Sequence, residues 1–132
     1  MTARAEGTFT VASWAEDTYS ELEGEGKLTK ATVGYQLSGG IEGEATWEAL
    51  MFYRADGTAE YTGLQHLSGQ IAGRSGTCVM IADGSYAHGT ASSTWRVIPG
   101  SGTGGLAGLS GSGMSVATST PPGTFTFDYE LD

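Results

Sequence analysis

Residues 124–131 read TFTFDYEL, a strict alternation of polar and apolar side chains. In an extended strand, successive side chains point to opposite faces, so this segment has one apolar face and one polar face. Such a pattern is typical of a half-buried antiparallel strand. The same period of two recurs at residues 8–11, 31–37 and 41–49. The alternation predicts an all-β protein in which each strand buries one face.

Composition agrees with strands and argues against helices. Glycine accounts for 22 of the 132 residues, and each glycine disfavours a helix interior by roughly 1 kcal/mol. Apolar residues make up 39% of the chain and charged residues 16%, which is enough apolar material for a packed core. No linker-like segment divides the chain, so we expect residues 1–132 to form a single domain.

Turn signals separate the strands. Asp56-Gly57 and Asp83-Gly84 are pairs favoured in tight hairpins, and Ser38–Gly40 and Gly69–Gly73 read as further turns. Residues 17–27 and 114–122 read as loops that cover a barrel mouth. Eight strands are predicted at about 5–13, 28–38, 41–54, 58–69, 74–82, 85–98, 104–114 and 123–131.

Eight sequential antiparallel strands favour an up-and-down β-barrel, because closure removes the two exposed sheet edges. A barrel of this size encloses space for side chains or for one small ligand. Many glycines within the predicted strands suit the bends and bulges that a small barrel needs. Among them are Gly43, Gly63, Gly76, Gly89 and Gly108.

Charge and cysteine content limit the classes of partner. The formal net charge is −9, and the six basic residues are scattered, so we expect neither nucleic acid nor an anionic membrane surface as a partner. No apolar run approaches the length of a membrane span. The N-terminus lacks the apolar core of a signal peptide, and Cys78 is a lone cysteine. These features favour a cytoplasmic protein without an intrachain disulfide.

Motifs for known chemistry are weak. Gly100–Gly105 matches the dinucleotide fingerprint GxGxxG, but the glycine-rich segment after it cannot supply the phosphate-binding helix. His66 and His88 lack metal-ligand spacing and read as exposed strand residues. We therefore expect no nucleotide, no metal and no other cofactor.

A set of carboxylates on one strand face admits two interpretations. Glu42, Glu44 and Glu48 lie in phase with one another. In a dry pocket they could provide a general acid and base. The opposite face carries Trp47, which favours a solvated outer face for the three glutamates.

Aromatic side chains provide the strongest signal for a site. They occupy positions predicted to face inward on different strands, and large amphipathic rings would suit an apolar ligand. An ordinary filled core remains an equal alternative. The aromatic residues are Tyr35, Trp47, Tyr53, Tyr61, Trp95, Phe125, Phe127 and Tyr129. Gln65 is in phase with Tyr61, and Cys78 and Met80 share an inward phase on the next strand.

The run Leu50–Tyr53 breaks the alternation. A bulge, a stretch buried on both faces and an oligomer contact all explain it, and the sequence does not choose among them. A homodimer formed through this run is one of the open alternatives.

Several segments resemble a bacterial family of unknown function built on the allene oxide cyclase-like barrel. The resemblance spans nearly the whole chain, and its most specific pieces are IEGE (41–44), YRADGTA (53–59) and VIPGSGTGGLAGLSG (97–111). It implies an eight-stranded antiparallel barrel that is often dimeric. Gln65 and Cys78 depart from the family pattern, which tends to carry an acidic residue and an aromatic ring there. The first departure puts in doubt any acid–base role at position 65.

Barrels similar in fold include allene oxide cyclase, which closes a ring on an unstable epoxide, and bacterial cyclases of polyketide-derived chains. Such enzymes hold a reactive conformer in an apolar cavity and need few catalytic groups. The resemblance thus implies a cofactor-free cyclase or isomerase for a hydrophobic small molecule; a non-catalytic carrier is the alternative. Tyr35, Tyr53 and Gln65 are the candidate catalytic residues. The candidate substrate-binding residues are Trp47, Tyr61, Cys78, Met80, Trp95 and Phe127.

Overall fold

The computed structural model describes residues 3–24 and 26–131, which form a closed eight-stranded antiparallel barrel. The strands are joined in chain order, so the topology is up-and-down. The strands are β1 (Ala3–Glu21), β2 (Lys27–Gly39), β3 (Ile41–Tyr53), β4 (Ala59–Ile71), β5 (Arg74–Ala87), β6 (Thr90–Val97), β7 (Ser110–Ala117) and β8 (Gly123–Glu130). A 3₁₀ turn, Gly104–Leu106, is the single helical element in the described part of the chain.

Strand β8 closes the barrel against β1. Its residues pair with positions 3–9 of β1 in continuous register, from Tyr129 opposite Ala3 to Gly123 opposite Phe9. Phe125 and Phe127 point inward and are buried, as the alternation in TFTFDYEL predicts. Strand β8 therefore contributes side chains to the core and closes the barrel through its backbone pairing with β1.

Strand β1 is longer than predicted. Residues 17–21, predicted as part of a loop, continue the pairing with β2 as far as Glu21, and Glu25 of that segment lies outside the described residues. Ala12 stands unpaired at an irregularity between Val11 and Ser13. Beyond Phe9, β1 pairs with β2 alone. Residues 10–21, here called the rim flap, therefore rise beside one end of the barrel.

The predicted turn at Asp83-Gly84 is wrong. Strand β5 runs through it to Ala87, and the chain reverses at His88 and Gly89, which both have positive φ. Gly84 is needed for packing instead, because a Cβ atom there would lie 2.6 Å from the Tyr61 ring. The other three predicted turns are present, with Gly69–Gly73 shortened to the two residues after Ile71.

The segment predicted as a strand at 104–114 also differs. Residues 104–106 form the 3₁₀ turn, and positive φ values at Gly104 and Gly108 keep the chain out of extended structure until Ser110. Strand β7 then continues to Ala117, through part of the segment predicted as a loop. Gly89 and Gly108 thus lie in turns, whereas Gly43, Gly63 and Gly76 lie in strands.

The irregular segment 98–109, here called the floor loop, closes one end of the barrel. The floor loop forms hydrogen bonds with the part of β5 that does not pair with β6. For example, the Thr103 N–H donates to the Thr77 carbonyl at 2.8 Å. A Cβ atom on Gly76 would lie 2.0 Å from the Thr103 carbonyl oxygen, so this approach requires glycine. Leu106 and Leu109 of the loop are buried in the core. Gly100–Gly105, which matches GxGxxG, is thus part of the loop that closes this end of the barrel.

The run Leu50–Tyr53 contains no bulge. Strand β3 keeps unbroken register with both neighbours, and the side chains simply alternate. Leu50 is half exposed on the outer face, whereas Met51 is buried. A homodimer formed through this run, one of the alternatives left open by the sequence, stays a prediction.

Outward-facing residues follow the predicted phase in most places. Glu42, Glu44 and Glu48 are exposed, as is His66, whereas His88 lies in a turn and not on a strand. Among residues 3–24 and 26–131, no helix is long and apolar enough to cross a membrane.

Candidate functional site

The two halves of the barrel interior differ in packing. Next to the floor loop, the core is solid, and its largest fully buried side chains include Ile41, Leu67 and Ile71. The half below the rim flap contains a cavity of about 320 Å³ that opens at the mouth. This volume is in the range of small-molecule sites. The barrel interior is therefore packed at the floor-loop end and open at the rim-flap end.

The cavity wall is mainly aromatic and aliphatic, and six of the nine predicted site residues form part of it. These six are Tyr35, Trp47, Tyr53, Tyr61, Gln65 and Trp95. The strand alternation explains why they meet, because each occupies an inward position on β2, β3, β4 or β6. Further wall residues that the sequence reasoning did not single out include Phe9, Trp14, Met51, Ser93 and Ser115.

The other three predicted residues do not line the cavity. Cys78 and Met80 are fully buried in β5. Phe127 lies behind the wall, where it stacks on Trp95 with ring centroids 5.8 Å apart. Burial raises the pKa of the Cys78 thiol to about 11, so the reactive thiolate is scarce at neutral pH. These residues support the wall from behind.

Hydrogen bonds hold the large wall rings in place. The Trp47 indole N–H donates to the Ala82 carbonyl at 3.2 Å, and the Trp95 indole N–H donates to the Ser115 hydroxyl at 3.3 Å. The Tyr61 hydroxyl donates to the Ser85 carbonyl at 3.1 Å. The Trp47 and Tyr61 rings also meet edge to face, with centroids 5.1 Å apart. The polar ends of these rings are thus engaged within the protein, and their apolar faces form the wall.

Apart from Tyr86, which is 42% exposed, two residues of the wall have polar groups that lack a strong partner. The Tyr35 hydroxyl makes no hydrogen bond to the described residues, although its ring packs edge to face on Phe9 at 5.6 Å. The Gln65 side chain makes one weak contact, from Nε2 to the Met80 sulfur at 4.0 Å. Every fully buried side-chain nitrogen or oxygen among the described residues has a partner. The free groups of Tyr35 and Gln65 therefore face the open cavity.

Tyr35, Tyr53 and Tyr61 of the wall remain protonated at neutral pH and can act as hydrogen-bond donors. Burial, reinforced by the nearby Tyr61, raises the pKa of Tyr35 well above its ordinary value. Burial and hydrogen bonding to Glu16 do the same for the pKa of Tyr53. Burial also raises the pKa of Tyr61. None of these phenols can act as a base, but the Tyr35 hydroxyl can donate a hydrogen bond to a ligand.

A carboxylate that the sequence reasoning did not single out lies at the mouth. Glu16, on the rim flap, accepts hydrogen bonds from the Thr29 hydroxyl at 2.5 Å and from the Trp14 indole at 3.0 Å. Burial alone would raise the pKa of Glu16, but bonds from Thr29, Tyr53 and Trp14, with the charge of Lys27, lower it. Glu16 is therefore ionised at neutral pH and ties the flap to the mouth.

Among residues 3–24 and 26–131, no charged side chain lines the cavity. Within the described part of the chain, no cluster of three or more histidine, cysteine or acidic residues could hold a metal ion. The exposed Glu42, Glu44 and Glu48 lie outside the wall. The arrangement can enclose an apolar molecule and offer it hydrogen bonds, but it places no carboxylate or histidine against it.

Comparisons with known proteins agree with the barrel. A solved structure of a protein of unknown function from the DUF3224 family of Shewanella oneidensis superposes with a TM-score of 0.84 and 22% sequence identity. The alignment covers 100% of this chain and 99% of that one. No curated protein matches the sequence. The family model described as "Protein of unknown function (DUF3224)" matches residues 5–129. The chain therefore belongs to the DUF3224 family.

Proposed function

We propose that this protein binds a small, largely apolar molecule in the open half of its barrel. The observation that carries the proposal is the cavity of about 320 Å³ with its predominantly apolar wall. Burial of apolar surface supplies roughly 25 cal/mol per Å², so an enclosed ring system gains several kcal/mol on leaving water. The wall is already ordered by the hydrogen bonds of Trp47, Tyr61 and Trp95. Binding then costs little reorganisation.

The binding test uses N-phenyl-1-naphthylamine, an uncharged dye that fluoresces in apolar surroundings. We expect saturable binding of one dye per chain. Ala82→Phe places a ring into the cavity from its wall and should weaken binding at least tenfold. Ala107→Phe is the matched control, because Ala107 is exposed in the floor loop. Equal binding by the wild type and the folded Ala82→Phe variant would contradict the proposal.

A second candidate function, cofactor-free cyclisation or isomerisation of the bound molecule, is favoured by a specific pair of groups. Tyr35 and Gln65 each offer a hydrogen-bonding group without a strong protein partner to an otherwise apolar cavity. Preorganised donors in a dry site stabilise oxygen atoms on which negative charge develops. A folded conformer enclosed by rigid walls would also lower the entropic barrier to ring closure.

Turnover separates the two functions. Candidate apolar substrates with a reactive epoxide or polyene would be incubated with the protein and followed by mass spectrometry and chiral chromatography. An enzyme gives a product distribution that differs from the spontaneous one and returns towards it in Tyr35→Phe. A carrier binds the same compounds and leaves the distribution unchanged. The second outcome would exclude catalysis on those compounds while leaving the binding function intact.

A further inference from the structure

We propose that the ligand is an uncharged molecule with a hydroxyl group, which the Tyr35 hydroxyl and the Gln65 carboxamide recognise. This inference rests on the proposed binding function and specifies the chemical class that the cavity accepts. Both residues face the cavity, Tyr35 from β2 and Gln65 from β4. Their backbone partners on the intervening strand are Ala45 and Trp47, which are two residues apart and so share a face.

The absence of charge from the wall excludes an ionic ligand. None of the wall residues in the described part of the chain could neutralise a carboxylate, a phosphate or an ammonium group. Moving an unpaired charge out of water costs far more than apolar contacts return. The ligand must therefore be uncharged where it enters the cavity.

The charges at the mouth act against anions in particular. Glu16 lies beside the wall residues Trp14 and Tyr53 and is ionised. Lys27 approaches the same point, with its ammonium group 5.2 Å from the centroid of the Tyr53 ring. Its charge helps to keep Glu16 ionised. A carboxylate at the mouth would therefore meet the repulsion of the ionised Glu16.

The free hydrogen-bonding groups define the polar part of the ligand. The Tyr35 phenol is protonated and donates. The Gln65 amide nitrogen turns towards the Met80 sulfur, which leaves the amide oxygen as an acceptor. A hydroxyl group can accept from the first and donate to the second at the same time. An ether or ketone satisfies one of the two, and a pure hydrocarbon satisfies neither.

The test compares three probes that share one ring system: 2-naphthol, 2-methoxynaphthalene and 2-naphthoate. Calorimetry at pH 7 gives their dissociation constants. We expect 2-naphthol to bind about fivefold to tenfold more tightly than the ether, the range for one net hydrogen bond. We expect 2-naphthoate to bind at least tenfold more weakly than 2-naphthol.

Substitutions assign the preference to the two residues. Gln65→Met keeps the side-chain length and should bring the ratio between the alcohol and the ether close to one. Gln70→Met, at an exposed position of the same strand, should keep the wild-type ratio. Tyr35→Phe provides a second, independent variant, with Tyr19→Phe on the exposed part of the rim flap as its control.

The outcomes separate this inference from the function on which it rests. If the ether and the alcohol bind equally to the wild type, or if the naphthoate binds as tightly, the hydroxyl inference is overturned and the binding function stands. If the preference persists in both Gln65→Met and Tyr35→Phe, the inference is also overturned. If none of the three probes binds, the binding function fails and the inference fails with it.

Discussion

Glu16 connects the rim flap to the mouth through its hydrogen bonds with Thr29 and Trp14. A period-two reading cannot find it, because the unpaired Ala12 shifts the phase of β1. Phe9 and Val11 face inward at odd positions, whereas Trp14, after the irregularity, faces inward at an even one. A β-bulge is a backbone feature with no side-chain signature here. Trp47 and Gln65 could be predicted to face inward because their strands keep an unbroken period of two. Glu16 could not, because the period of β1 is interrupted before it.

The lowered pKa of Glu16 makes a pH-dependent contribution to stability. Its folded pKa lies below the ordinary value of 4.5, so the contribution is full above the unfolded pKa and is lost as the pH falls through the folded pKa. Glu16→Gln should therefore destabilise the protein at pH 7, and the difference from wild type should shrink towards pH 3. Urea unfolding at both pH values measures this.

Asp17→Asn is the control for Glu16→Gln, because it removes one negative charge from the neighbouring position of the flap. The control should show no comparable convergence with wild type at low pH. A destabilisation by Glu16→Gln that is the same at pH 7 and pH 3 would contradict the role assigned to the carboxylate.

The reactivity of Cys78 reports on the packing of the core next to the floor loop. Its side chain is fully buried, and burial raises the pKa of its thiol to about 11. We expect labelling by a thiol reagent at pH 8 to be slower by about 10³-fold or more than in urea, because the thiol must await an opening of the barrel. Rapid labelling while the tryptophan fluorescence remains native would show that this part of the core is open.

At the scale of elements, the floor loop seals the barrel through side chains that serve packing alone. Leu106 has no exposed surface in the folded chain. Leu106→Ala should lower the free energy of unfolding by about 3 kcal/mol, which is typical for a buried leucine. Affinity for 2-naphthol should be unchanged, because the loop lies at the opposite end from the cavity. Chemical denaturation and calorimetry measure the two effects.

Leu64→Ala is the control for Leu106→Ala, since Leu64 is 52% exposed on the outer face. It should change stability by no more than about 0.5 kcal/mol. A large loss of ligand affinity in Leu106→Ala would contradict the separation between a structural end and a binding end.

The strands could be predicted because apolar side chains alternate with polar ones wherever one face of a strand is buried and the other is exposed. Strand ends and turns were less predictable, since local turn propensity competes with tertiary packing. Asp83-Gly84 is favoured in a hairpin, but in the barrel Gly84 makes room for the Tyr61 ring. Residues 104–109 of the floor loop were predicted to be part of a strand, and their glycines have no side chains whose pattern could have argued against it. Contacts between residues distant in the sequence determine the structure at Asp83-Gly84 and in the floor loop, and the pattern of neighbouring residues carries no information on such contacts.

For the whole molecule, ligand binding and stability should be linked. A ligand that binds the folded barrel alone stabilises it by about 2.7 kcal/mol at a free concentration of one hundred times its dissociation constant. We expect 2-naphthol to raise the melting temperature of the wild type by several degrees. In Leu106→Ala it should stabilise the folded state by a similar free energy. Differential scanning calorimetry measures both. Binding without any rise in the melting temperature would place the probe on a surface that survives unfolding.

We infer that the rim-flap half of the barrel binds the ligand, with Tyr35 and Gln65 as its polar contacts. A crystal structure of the complex with 6-bromo-2-naphthol tests it most directly, because anomalous scattering from bromine locates the ring independently of refinement. We expect one bromine peak inside the barrel between Trp47 and Trp95, with the hydroxyl within hydrogen-bond distance of Tyr35 and Gln65. A bromine peak on the outer surface, or side chains filling the upper half of the barrel, would contradict it.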